Sequence, residues 1–160
     1  KPWKFLLLGR GELQSEIIQK AVKNDIKDRI ILVESVPHDQ VCNYINLMST
    51  LVLPSETTYK FKTITSAGWK EQFGHVIIEA MACNVPVIGS DSGEIPHVIG
   101  DAGLVFPEGD YKALSKCLLE LIEKPEIKEN IGMMGYAKVM AQYTNKALAK
   151  QQLEFYEELI

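Results

Sequence analysis

Short apolar runs without polar alternation recur along the first two-thirds of the chain, and a segment with helical spacing follows each run. A strand that is covered on both faces shows this continuous apolar pattern, and helices are the usual connections between parallel strands. The sequence therefore predicts an α/β fold with a doubly wound, Rossmann-like parallel sheet and helices on both faces. The predicted strands are residues 5–8, 29–33, 50–53, 85–89 and 104–106.

The segments between these strands, and the residues after the last one, are predicted to be helical. Their helical spacing places apolar residues on one face, as at Leu114, Leu118 and Leu121. Asn84 is a residue type that tolerates the left-handed conformation at a helix end. The length of 160 residues favours a single domain that spans residues 1–160. The predicted helices are residues 12–22, 41–48, 73–83, 94–99, 110–123, 127–143 and 147–160.

The charge and cysteine content narrows the possible partners. With 17 basic and 21 acidic residues and a net charge of −4, the chain does not favour nucleic acid as a partner. No apolar run approaches the ~18 residues of a transmembrane segment, although peripheral contact with the inner face of a membrane stays open. The three cysteines have no metal-ligand spacing, which favours a cytoplasmic protein with reduced thiols. We also expect an excised domain, because the first residue is Lys1 rather than Met.

Polar and glycine-rich segments follow three of the predicted strands. In doubly wound folds, ligands bind at the carboxyl ends of the strands. Gly9 and Gly11 follow the first strand, and the segment ending at Gly93 follows the fourth. The loop over residues 55–70 follows the third strand and is longer than the ~4–6 residues typical of such connections. These segments predict a ligand-binding crevice.

Two carboxylates flank a Phe-Gly turn that precedes an apolar helix. A helix start offers N–H groups to a diphosphate, and the carboxylates of Glu71 and Glu79 can accept hydrogen bonds from sugar hydroxyls. Glu79 lies among apolar helix residues, so it should be either at a site or paired with a cation. A solvated loop position for Glu71, and a tight helix entry with Phe73 in the core and Gly74 at the turn, remain open alternatives.

Six segments occur in an order that resembles glycosyltransferase family 4, also called group 1. They are residues 54–55, 71–74, 79–82, 86–90, 93–96 and 103–110, and the resemblance extends over essentially the whole chain. It implies the C-terminal, donor-binding domain of an enzyme with the two-domain GT-B architecture. Such enzymes transfer a sugar from a nucleotide-diphosphate sugar to an acceptor with retention of anomeric configuration. The resemblance implies neither a metal nor another cofactor.

The resemblance assigns roles to residues on both sides of the helix start. Glu71 is similar to the catalytic glutamate beside the donor sugar, and Glu79 to the glutamate that accepts hydrogen bonds from ribose hydroxyls. Phe73 and Gly74 lie where the backbone contacts the phosphates and the sugar. These four residues are the core of the expected donor site.

Further expected donor-binding residues lie in turns after the strands. Gly9 and Gly11 resemble the turn beside the nucleotide, and Gly93 resembles the loop beneath the donor sugar. Ser35 and Val36 are expected near the nucleobase, which they contact mainly through backbone groups. Family members often have glycine at the position of Ser35, so the base pocket is expected to differ here.

The resemblance also implies partners outside this sequence. An N-terminal acceptor domain and a basic residue pair that binds the diphosphate are expected to precede these residues. We therefore expect donor binding but little transfer from these 160 residues alone. Two alternatives stay open: a non-catalytic nucleotide-binding or interaction module, and another GT-B reaction such as sugar-nucleotide epimerisation.

Overall fold

The computed structural model describes residues 3–60 and 68–159, and within these ranges five strands alternate with helices. The middle of the long loop predicted after the third strand, residues 61–67, lies outside the described residues. The strands are β1 (Phe5–Leu8), β2 (Ile30–Val33), β3 (Leu51–Leu53), β4 (Val87–Ser90) and β5 (Leu104–Phe106). The helices are α1 (Gln14–Lys23), α2 (His38–Ile45), α3 (His75–Ala82), α4 (Ile95–Ile99), α5 (Tyr111–Glu123), α6 (Pro125–Gln142) and α7 (Asn145–Glu157), with a short 3₁₀ helix at Lys27–Arg29.

The chain divides into two compact units, which we call the N-terminal unit (Lys1–Tyr44) and the C-terminal unit (Ile45–Ile160). In the N-terminal unit, β1 and β2 pair in parallel, from Phe5 opposite Ile30 to Leu8 opposite Val33. The Gly9 N–H extends this pairing by donating to the Val33 carbonyl at 2.9 Å.

The C-terminal unit is built on a parallel sheet of three strands in the order β3-β4-β5. The central strand β4 is buried along its whole length. Ile77 and Met81 of α3 and Ile95 of α4 are also fully buried, and such burial stabilises the fold by about 1.5–3 kcal/mol per side chain. This core fixes the ends of β4 and the loops that leave them.

Polar caps and a proline define the starts of the C-terminal helices. The Asp110 carboxylate accepts hydrogen bonds from the N–H groups of Lys112 and Ala113, which caps α5. The predicted helices 110–123 and 127–143 are separate in the structure, and Pro125 is the first residue of α6. A proline is favoured in the first turn because the N–H that it lacks has no partner there. Asn84 follows α3 with φ +57°, as its residue type predicts.

The predicted fold class is confirmed: parallel strands are flanked by helices, and three helices follow the last strand. Most strand and helix ends lie within two residues of the predicted ones, which is the usual uncertainty of frayed ends. Within the described ranges, no helix combines the length and apolar composition needed to cross a membrane.

Candidate functional site

The carboxyl ends of β3, β4 and β5 form one edge of the C-terminal sheet. Leu53 lies opposite Gly89, and Ser90 lies opposite Phe106. Because the strands are parallel and in this register, the residues that follow each strand leave the sheet at the same edge. This is the edge at which the sequence predicts ligand binding.

The start of α3 requires glycine. Gly74 is buried and has φ +78°, a left-handed conformation that residues with a side chain rarely adopt. A Cβ atom at this position would lie 2.9 Å from Leu53 Cδ2 and 3.1 Å from Ile77 Cδ1. No described side chain caps this helix, so the N–H groups of its first turn can serve a bound anion.

Phe73 packs in an aromatic cluster beside this helix start. Its ring centroid lies 4.8 Å from that of His75 and 5.7 Å from that of Tyr143, the latter in an edge-on arrangement. The side chain is half-buried. The packing role that the sequence left open for Phe73 therefore holds, and its contact with a donor stays a prediction.

Glu71 is held through both its backbone and its side chain. Its carbonyl accepts a hydrogen bond from the Glu94 N–H at 3.1 Å, and its Oε2 accepts one from Ser55 Oγ at 3.1 Å. Gly93 has φ +58°, and a Cβ atom there would collide with the Glu71 carbonyl oxygen. The alternative of a solvated loop position for Glu71 does not hold, because the side chain is half-buried and hydrogen-bonded.

Glu79 lies in the second turn of α3 and is half-buried. No described residue forms an ion pair or a side-chain hydrogen bond with its carboxylate, since the ion pairs found in these ranges join other residues. Pairing with a cation was one of the two predicted explanations for a glutamate at this position. Among the described residues that explanation has no support.

A set of hydrogen bonds that the sequence did not predict joins the loops after the three strands. The Glu108 Oε2 accepts from the Thr57 N–H at 2.9 Å and from Thr57 Oγ1 at 2.8 Å. Thr57 Oγ1 also lies 3.4 Å from Ser92 Oγ, and the Glu108 N–H donates to Asp91 Oδ1 at 2.7 Å. The Thr57 N–H, followed by its hydroxyl, lowers the pKa of Glu108 below its usual value.

The Asp91 carboxylate lies just before α4 but binds the Glu108 N–H, and no described side chain caps that helix. The usable signal was position: Thr57, Asp91 and Glu108 each lie within a few residues of the carboxyl end of a neighbouring strand.

A buried hydroxyl at the end of β4 anchors the loop after β3. Ser90 is fully buried, and its Oγ donates to the Ser55 carbonyl at 2.6 Å. Ser55 is in turn the residue that donates to Glu71. Ser55 and Ser90 lie in segments that resemble the family, but the sequence predicted neither the bond between them nor the bond from Ser55 to Glu71.

The remaining predicted donor-binding residues lie in the N-terminal unit. Gly9 follows β1 with φ +129°, and nothing lies within 4 Å of a Cβ added at Gly9 or Gly11. Ser35 is exposed and Val36 half-buried, and both follow β2. The parallel pairing brings the two turns to the same edge of this sheet. Their contact with a nucleotide stays a prediction.

The described residues contain neither a group of metal ligands nor a disulfide. No three His, Cys, Asp or Glu side chains in the described ranges are grouped so as to hold a metal ion. None of Cys42, Cys83 and Cys117 is in a disulfide.

The strands are parallel and flanked by helices, and the carboxyl edge carries carboxylates and a helix that begins after a glycine. These features are those of a Rossmann-like ligand-binding domain. Residues 1–138 match the family described as Glycosyl transferases group 1. The chain belongs to this family, as the resemblance predicted.

Curated relatives cover nearly all of the chain. It is 30% identical over 159 residues to N-acetyl-alpha-D-glucosaminyl L-malate synthase of Bacillus anthracis, covering 98% of this chain and 38% of the relative. It is 27% identical over 142 residues to GDP-mannose-dependent monoacylated alpha-(1-6)-phosphatidylinositol monomannoside mannosyltransferase of Corynebacterium glutamicum, covering 88% of this chain and 35% of the relative. The chain therefore spans well under half of these relatives.

Solved structures share the fold. Sucrose-phosphate synthase from Thermosynechococcus elongatus has a TM-score of 0.76 at 26% identity, covering 96% of this chain and 38% of the other. Anabaena HepE, solved in complex with UDP-glucose, has a TM-score of 0.77 at 18% identity, covering 97% and 41%. The second likeness concerns the fold alone. Both agree with a domain of the GT-B architecture.

Proposed function

We propose that this chain is the donor-binding domain of a retaining glycosyltransferase that uses a nucleotide-diphosphate sugar. One observation carries the proposal beyond family membership: Glu71 is fixed by Ser55 and Glu94 at the carboxyl edge of the C-terminal sheet. Both the backbone and the carboxylate of this loop residue are thus held at the edge where ligands bind in doubly wound folds.

In this proposal, Glu71 acts beside the donor sugar. Positive charge develops at the anomeric carbon when the bond to the diphosphate breaks, and a nearby carboxylate stabilises that charge. A group that is already oriented needs little rearrangement in the transition state, which is where fixed charges are most effective. The hydrogen bond from Ser55 and the backbone bond from Glu94 supply this orientation.

The helix α3 supplies the remaining contacts in the C-terminal unit. We propose that the diphosphate binds the first-turn N–H groups after Phe73 and Gly74, where the helix dipole favours an anion. Glu79 then accepts hydrogen bonds from the ribose hydroxyls. Its half-buried carboxylate has no partner among the described residues, so ribose would satisfy a group that is otherwise unpaired.

The same proposal extends to the whole protein. An N-terminal acceptor domain and a basic pair outside these residues complete the enzyme, and the 160 residues alone bind donor weakly and transfer almost nothing. The reaction takes place in the cytoplasm and needs no metal. Relatives named for amylovoran and capsular polysaccharide biosynthesis support a role in polysaccharide assembly.

Titration with UDP-, GDP- and ADP-sugars, followed by calorimetry, tests the donor site. One of these classes should bind, and Glu79→Ala should weaken its binding by about 1–3 kcal/mol, the scale of a lost hydrogen bond to a charged group. Glu129→Ala, which removes an exposed carboxylate from α6, is the matched control and should change nothing.

Two outcomes would contradict the proposal. If the folded chain binds none of these sugar nucleotides, the donor site is refuted. If Glu79→Ala binds with unchanged affinity, the ribose contact is refuted while the donor site stands. Binding without transfer by the whole protein would favour the non-catalytic alternative.

A further inference from the structure

Two serines connect the buried centre of the C-terminal sheet to the carboxylate of Glu71. Ser90, the last residue of β4, is fully buried and donates from Oγ to the Ser55 carbonyl at 2.6 Å. Ser55 lies two residues after β3 and donates from its own Oγ to Glu71 Oε2 at 3.1 Å. The two bonds form a chain from the core to the carboxylate.

We propose that Ser55 is a positioning residue for Glu71 and that Ser90 holds Ser55 in place for this task. The inference rests on the proposed function, because it assigns the oriented carboxylate to a donor sugar. Neither serine touches the reacting atoms in this proposal. Both act through Glu71.

The geometry of the carboxylate supports this role. A carboxylate has two oxygens that can accept hydrogen bonds, and Ser55 occupies only Oε2. No described residue donates to Oε1, and the backbone of Glu71 is fixed by Glu94 and by the close approach of Gly93. The side chain is therefore oriented with one oxygen bound to the protein and the other open to a hydroxyl of the donor.

Ser90 matters because a loop hydroxyl can orient a partner only if the loop is itself fixed. The loop after β3 leaves the sheet at Leu53, and the bond from Ser90 fixes its carbonyl two residues later. The donor in this bond lies on the fully buried strand β4, and buried core strands are the elements that open least readily. A hydroxyl on an exposed loop would not offer the same anchor.

The test compares a sugar nucleotide with its nucleoside diphosphate: UDP-glucose with UDP, and GDP-mannose with GDP. Ser55→Ala should weaken binding of whichever sugar nucleotide the wild type binds by about 5- to 10-fold, the size expected for the loss of one ordinary hydrogen bond. Binding of the matching diphosphate should not change, because Glu71 is assigned to the sugar. Ser55→Thr keeps the hydroxyl and should restore most of the affinity.

Ser49→Ala is the matched control, because Ser49 is exposed and lies two residues before β3 as Ser55 lies two residues after it. It should leave both affinities unchanged. Equal losses of sugar nucleotide and diphosphate in Ser55→Ala would show a merely structural role and would overturn the inference. Circular dichroism confirms that each variant is folded before the affinities are compared.

A double-mutant cycle with Glu71→Ala, which removes the acceptor of the bond from Ser55, separates this inference from the proposed function. If Ser55 acts through Glu71, Ser55→Ala should cost less than about 2-fold in the Glu71→Ala background. An undiminished loss there would overturn the inference even if the donor site is correct. If the wild type binds none of the UDP-, GDP- and ADP-sugars, the proposed function itself fails.

Discussion

The two units use similar apolar strands in different surroundings. In the C-terminal unit β4 is buried along its whole length, whereas in the N-terminal unit Ile31 and Leu32 of β2 are 43% and 37% exposed. Their glycine turns differ in the same way. Gly93 lies against the backbone of Glu71, whereas nothing lies within 4 Å of a Cβ added at Gly11.

The difference shows which loops are held in place by the surrounding residues. In the C-terminal unit, close packing and side-chain hydrogen bonds hold the loops at the carboxyl edge. No corresponding side-chain bond joins the described turns after β1 and β2. We therefore expect substitutions in the C-terminal loops to have the larger effects, and four predictions test this expectation in order of size.

The largest effect is expected from an alanine at Gly93. Its φ of +58° disfavours a side chain, and the new Cβ would collide with the Glu71 carbonyl oxygen, so Gly93→Ala should reduce the free energy of unfolding by about 3–5 kcal/mol. Gly11→Ala is the control and should change it by less than about 1 kcal/mol in either direction. Urea unfolding measures both. Similar losses at the two positions would remove the contrast between the units.

The next effect concerns catalysis by the whole protein. Glu71→Gln keeps the size of the side chain but removes the charge that we propose stabilises the positive charge at the anomeric carbon, so kcat should fall by about 100-fold or more. The free energy of unfolding should change little, because glutamine can still accept the hydrogen bond from Ser55. Product formation from the donor identified by titration measures the rate. An unaltered kcat would refute the catalytic role.

Much of this contrast could be predicted from the sequence, but not its tightest part. The strands followed from continuous apolar runs, and the left-handed helix end at Asn84 followed from its residue type. The bond between Ser55 and Glu71 joins residues 16 positions apart across a long loop, and the bond between Thr57 and Glu108 spans 51 positions. Such pairs depend on strand order and register, and the continuous apolar runs of this chain lack the polar alternation that would specify register.

A smaller effect is expected from the acid titration of Glu108. Its pKa is lowered in the folded state by the N–H and hydroxyl of Thr57. A carboxyl group with a lowered folded-state pKa stabilises the fold above its unfolded pKa of about 4.3, and this contribution is lost as the pH falls through the folded-state value. The stability difference between wild type and Glu108→Gln should therefore shrink below about pH 4.3.

Denaturant unfolding between pH 7 and pH 3 measures this change for Glu108→Gln. Glu129→Gln serves as the control, since that exposed carboxylate on α6 has no described hydrogen bond to another loop. A Glu108 contribution that stays constant down to pH 3 would show that the bonds to Thr57 do not hold the loops together in solution.

The smallest effect is expected in the N-terminal unit. Ser35 is exposed after β2, and its predicted contact with the nucleobase is through the backbone, so removing its hydroxyl should matter little. Ser35→Ala should change the affinity for the sugar nucleotide by less than about 2-fold, against the larger loss expected for Ser55→Ala. Calorimetry with the same donor compares the two alanine variants directly. A loss at Ser35 as large as that at Ser55 would mean that the N-terminal unit also recognises its ligand through an oriented side chain. The contrast between a packed edge and an open one would then not extend to binding.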